Sequence, residues 1–254
     1  MIPTELAESL KRWALIFISA LVLSAGLSGL KRASGSAYYI ERERQAIKST
    51  AGQGLLFGLL GGYRSLISDI VWIKAYLAWE KRDAVKCAAA IDLAVSLDPY
   101  MLTYRTMGAG MIGYDMPHWI VDNMRKSGKP VSKELEKSIH RRQTLRALAF
   151  IDDGLKNLPD NQTLLLEKAQ IYLNRLEDFE AAGECYGRVM KLDKDPPVFV
   201  RRFYARCMEK TGRFKEALKT LQDLLPILQP DEPLYPVVQD DIARLKKKIA
   251  EGGA

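Results

Sequence analysis

The chain has 254 residues, 48% hydrophobic, 27% charged and 9% aromatic, a balance that excludes intrinsic disorder, a collagen-like fibre and a multi-span membrane protein. Three cysteines, Cys87, Cys185 and Cys207, are too few and too widely spaced for a disulfide framework or a Cys-x-x-Cys zinc site, and read as small core residues. The net charge of +7 is compatible with an anionic partner or with a plain soluble surface.

Residues 13–30, WALIFISALVLSAGLSGL, run eighteen positions without a charge between Lys11-Arg12 and Lys31-Arg32. That is about the minimum for a spanning helix. A removable signal peptide is the rival reading, but the best cut, after Ala25, places bulky Leu23 where a small residue is wanted. An uncleaved single-pass anchor is therefore expected. More positive charge follows the run than precedes it, and the cysteines are not paired by spacing, so the remainder of the chain is expected on the cytoplasmic side.

Residues 31–64 are expected to form a juxtamembrane linker ending in the apolar segment GLLFGLLGG at 54–62. Arg64, Asp69 and Lys74 argue against a second span there, leaving an interfacial or core segment. From Ser65 the spacing of Leu66, Ile70, Ile73 and Leu77 is helical, with Trp72, Tyr76 and Trp79 on another face.

Downstream the chain reads as all-α, and it repeats. Ala182 in FEAAGECYGRVMKL and Ala217 in FKEALKTLQDLLPIL are 35 residues apart, and 35 residues before Ala182 stands Ala147. Each of the later two alanines follows a phenylalanine, Phe179 or Phe214, by three positions. This pattern resembles the tetratricopeptide repeat (TPR), a helix-turn-helix unit of about 34 residues with small residues where its helices cross. A weaker unit ends in AIDLAVSLDP, with Cys87 at the crossing position and Ala75 as the small residue of its first helix; Ala109 and Ala205 play that part later, while Gln170 departs from the pattern.

The resemblance, which also extends to bacterial membrane-anchored TPR proteins, implies a solenoid of about four hairpins over residues 65–230, at 68–99, 100–159, 163–195 and 198–229. A capping helix at 235–250 is expected within a tail of 231–254. The second unit is some 25 residues too long, an excess assigned to an insertion near 116–134 whose proline, glycine and serine should interrupt helix.

Catalytic patterns are missing. His118 and His140 lack the spacing of a metal pair and read as surface or packing residues; no phosphate-binding loop, dinucleotide fingerprint or nucleophile elbow occurs. The expectation is a non-enzymatic protein without cofactor or metal. Its chemistry lies in two basic concentrations. Between residues 117 and 146 eight cations, among them Arg125, Lys126, Lys129 and Lys133, face three acids, which suits anionic lipid headgroups or an acidic protein. With Trp119 as the only interleaved aromatic, nucleic acid is disfavoured.

The second concentration comprises Arg201, Arg202, Arg206, Lys210 and Arg213. In the repeat register Asn174, Arg175, Arg202 and Arg206 would face the groove, a surface suited to an acidic peptide or a carboxylate. The family's carboxylate clamp is not matched, since Thr106, Gly110, Glu167 and Ile171 stand at its positions. The functional expectation is a membrane-anchored scaffold or adaptor that binds proteins or peptides. Its alternative is a structural subunit of a larger membrane complex.

Overall fold

The computed structural model describes residues 53–252, with side chains described from residue 63. The expected span at 13–30 and most of the linker lie outside the described residues. Among those described, no helix is long and apolar enough to cross a membrane. The chain divides into two compact units, Met1–Ile70 and Val71–Ala254, and the division falls within the first described helix, α1 (Gln53–Glu80). Of the first unit, residues 53–70 are described: helix throughout, with Tyr63, Leu66, Ile67 and Ile70 exposed.

The second unit is all-helical among the described residues. After the end of α1 come α2 (Ala84–Leu97), α3 (Leu102–Gly110), α4 (Met116–Lys126), α5 (Lys133–Asn157), α6 (Gln162–Ile171), α7 (Phe179–Leu192), α8 (Val198–Lys210), α9 (Phe214–Leu224) and α10 (Leu234–Ala250). Three antiparallel hairpins, the second to fourth units, follow: α3/α4–α5, α6–α7 and α8–α9, with α10 packed on α9. Before them the end of α1, from Val71, shares a buried cluster with α2 through Ala75, Ala78, Cys87 and Ile91. This is a TPR-like solenoid.

The small residues explain the stacking. Ala75, Cys87, Ala109, Ala147, Ala169, Ala182 and Ala217 are wholly buried and Ala205 is nearly so, because helices in each hairpin approach closely only where side chains are short. Larger residues fill the space between hairpins. One cluster centres on Ile91, Ile112, Ile151 and Leu164, and the other on Tyr186, Met208, Leu224 and Leu245. Leu155 and Tyr172 pack against both, so the core is continuous across α6. Burial pushes all three thiols up to about 11, which leaves the cysteines inert as core residues.

The departure at Gln170 is a shift of register. Ala169, not the exposed Gln170, takes the crossing position. From Ala169 to Ala182 is thirteen positions, whereas Ala75 to Cys87 and Ala205 to Ala217 are twelve. A π-helical turn at Tyr172–Leu176 absorbs the extra residue.

A second π turn, Met111–Asp115, corrects the expected insertion. Residues 116–126 are helical, and the excess length of the second hairpin lies in both of its helices rather than in an irregular loop. Pro117 sits in the first turn of α4, where the wide turn before it has already broken the regular hydrogen-bond ladder that proline could not join. The irregular part is confined to residues 127–132, where Gly128 has φ 72°.

Each of the four turns passes through a left-handed residue: Arg82 (φ 53°), Gly128 (φ 72°), Glu177 (φ 54°) and Gly212 (φ 82°). Asp83 and Asp178 then cap α2 and α7, accepting from Lys86 N and Ala181 N at 3.0 Å each. Gly128 and Gly212 take this conformation freely, whereas Arg82 and Glu177 are strained in it. Arg82→Gly relieves the left-handed strain and returns part of the gain as unfolded-chain entropy, so a net stabilisation of about 0.5 kcal/mol is expected in urea melts.

Candidate functional site

The first helices of the third and fourth hairpins leave a cleft of about 300 Å³ between the end of α6 and α8. Leu173, Phe179 and Phe203 form its apolar walls; Asn174, Glu177, Arg206 and Lys210 supply the polar lining. The helix period builds this face, since 203, 206 and 210 follow the i, i+3, i+7 spacing of one stripe. Lys210 Nζ lies 5.8 Å from the centre of the Phe179 ring, and among the described residues neither Arg206 nor Lys210 has an ion-pair partner. Two of the other three cations of this concentration are engaged: Arg201 pairs with Asp195 at 3.1 Å and Arg213 with Glu180 at 3.2 Å.

The four groove candidates thus separate. Asn174 and Arg206 line the cleft together. Arg202 lies one turn before Arg206 on α8, half-buried and outside the lining. Arg175 turns towards the second hairpin, where its Nη2 meets His140 Nδ1 at 2.7 Å and its guanidinium lies 5.3 Å from the Tyr114 ring centre. Leu173, Phe179 and Phe203, absent from the sequence candidates, supply the apolar floor that charge patterning could not reveal.

Around Arg175 is a polar cluster that the sequence kept apart. The rings of His118 and His140 meet edge to face with centres 4.7 Å apart, and the Tyr114 hydroxyl donates to the Gln170 carbonyl at 3.4 Å. Burial raises both the Tyr114 hydroxyl and the Glu167 carboxyl above their ordinary ranges. Burial first, then the neighbouring His118 and Arg175, lower His140 below 6.5, against the opposite pull of Glu136 on its own helix. A guanidinium can only donate, so His140 accepts through Nδ1 and is held neutral.

This has a consequence for stability. Above about pH 6.5 His140 is neutral folded and unfolded; below it the unfolded chain takes up the proton first, so its contribution is lost as pH falls towards the native value. His140→Gln is expected to flatten the decline in the urea midpoint between about pH 7 and pH 5.5, leaving the midpoint at pH 7 nearly unchanged.

The basic-insertion candidates occupy the far end of the second hairpin: Arg125 and Lys126 close α4, Lys129 is in the turn and Lys133 opens α5, all exposed. Arg125 is engaged by Glu136 at 2.7 Å. Among the described residues, no group of three or more His, Cys, Asp or Glu side chains is arranged to hold a metal ion.

No protein-family model matches the chain, and no curated protein matches it. Similar solved structures are TPR proteins and the MamA protein. MamA is 9% identical, with 72% of this chain and 82% of that one covered at a TM-score of 0.47. A thermophilic TPR protein from Thermus thermophilus is 16% identical over 91% of this chain and 98% of that one, TM-score 0.39. The TPR domain of P58(IPK) is 14% identical over 84% and 68%, TM-score 0.34. At such identities the likeness concerns helical architecture, and no residue role follows from it.

Proposed function

We propose that this chain is a helical-repeat adaptor that holds a segment of another protein in the cleft between α6 and α8 and keeps it at a membrane through residues 13–30. The observation that carries the reading is a cleft of mixed lining, in which the apolar walls Leu173, Phe179 and Phe203 stand beside two cations, Arg206 and Lys210, that lack ion-pair partners among the described residues. A segment with an apolar side chain followed by a carboxylate fits both parts. The anchor would raise the local concentration of that partner at the surface. The basic flank after residue 30 favours the cytoplasmic face for the repeats.

A second reading, a fixed subunit of a membrane complex, draws on the exposed apolar residues Ile73, Tyr76 and Leu77 of α1. Crosslinking of the full-length protein in cells, with the linked residues mapped by mass spectrometry, separates the two. The adaptor reading expects reproducible protein links near the cleft, lost at least about tenfold when Arg206→Ala and Lys210→Ala are combined. Capture unchanged by that double variant, with helical content intact by circular dichroism, sinks the cleft assignment. Links confined to α1 favour the subunit.

A further inference from the structure

The second hairpin is built longer than its neighbours. α5 has 25 residues against 14 in α7 and 13 in α8, which at helical rise makes it about 17 Å longer. The last buried residue on α4 is Val121 and the first on α5 is Ile139; no residue between them is buried. This end of the hairpin contributes little to the core. Its sequence, however, is not that of a neutral turn.

Lys126, Lys129, Lys133 and Lys137 are exposed there, and none has an ion pair among the described residues. The tip's one guanidinium, Arg125, is taken by Glu136, so the available cations are all ammonium groups on flexible stems. Half-buried Val131 and exposed Leu135 lie among them. Asp122 and Glu134 are the remaining acids of the segment.

We propose that this tip docks on the anionic headgroup layer of a lipid bilayer. Lysine ammonium groups are compact point charges without the planar fork that reads a particular carboxylate or phosphate pair, and they suit a diffuse sheet of negative charge. Nucleic acid fits less well, because the residues between Val121 and Ile139 include no aromatic side chain on which a base could stack. Val131 and Leu135 give the lysines apolar neighbours able to enter the interface. Four lysines alone bind a bilayer weakly, so the inference rests on the anchoring proposed above to bring the surface within reach; two signals together give stable attachment.

The test uses the full-length protein reconstituted with vesicles of phosphatidylcholine alone or with about 30% phosphatidylserine. Flotation on neutral vesicles reads the anchor, and amine-reactive labelling followed by mass spectrometry reads the tip. The expected result is flotation on both, with labelling of Lys126, Lys129, Lys133 and Lys137 about threefold lower on the anionic vesicles and restored by about 0.5 M salt. Lys219 and Lys246 should label equally on both. Lys129→Glu combined with Lys133→Glu, at exposed positions that spare the core, should abolish the difference. Equal tip labelling on the two vesicles overturns the proposal. So does protection of the tip on neutral vesicles by added RNA or an acidic polypeptide without protection by anionic lipid. Salt-sensitive flotation on anionic vesicles alone would leave the tip standing and remove the anchor, whereas flotation on neither sinks both.

Discussion

Arg105→Ala is expected to destabilise the solenoid by about 3 kcal/mol, although it removes a charged residue from a core. Arg105 is 3% exposed; its Nη1 donates to the Phe150 carbonyl at 3.1 Å, its Nη2 to Asp153 at 2.9 Å, and its guanidinium lies 5.0 Å from the Phe150 ring centre. Truncation leaves a cavity beside Gly154 and takes the second donor from a carbonyl that keeps its helical partner, but strands no charge, because Asp153 is half-exposed and stays hydrated. Arg105→Met keeps most of the stem's packing and should cost about half as much. Partial burial pushes the Asp153 carboxyl up, but Arg105 outweighs it and holds the group below its ordinary range. The pair's stabilisation is therefore present at neutral pH and lost as pH falls through that depressed native value. Urea melts of the three proteins at neutral and acid pH check both statements.

Gly108→Val should cost a similar amount, about 3 kcal/mol, by overpacking. A Cβ at Gly108 would stand 2.9 Å from Ile91 Cγ2 and 3.1 Å from the Phe150 ring, one on α2 and the other on α5. Neither neighbour can retreat, since Ile91 is wholly buried and Phe150 nearly so. The damage should stay local, because each hairpin in a stack draws its stability from its neighbours. Hydrogen exchange is expected to speed up most in α2, α3 and α5 and least in α9 and α10. Uniform acceleration along the chain would show that the stack melts as a single unit.

The repeat register was legible because its physical cause is local: where two helices cross closely the residue must be small, and Ala147, Ala182 and Ala217 mark those places at a constant spacing. The π turns were not legible. A one-residue surplus such as that between Ala169 and Ala182 shows in the sequence only as an apparent fault at Gln170. Pro117, read as a helix breaker, is one only in a regular helix, and the wide turn at Met111–Asp115 gives it a place.

The site was legible in part for the same reason. Arg206 and Asn174 follow from the face that each first helix presents, whereas the diversion of Arg175 depends on His140, 35 positions earlier, and on Tyr114 in the preceding hairpin. Contacts between hairpins have no fixed sequence offset when one hairpin is longer than the rest. The apolar walls were missed because Leu173, Phe179 and Phe203 look, in sequence, like ordinary core residues of their helices.

The most direct test of the adaptor reading places a photoreactive amino acid at Phe203, within the cleft, and in a second protein at Lys219, on the exposed face of α9. Irradiation of the full-length protein in its membranes should yield a discrete protein adduct from position 203 that is absent from 219 and is lost when Arg206→Ala and Lys210→Ala are added. Equal adducts from both positions, or none from 203 while 219 captures a protein, would contradict the cleft as the binding site.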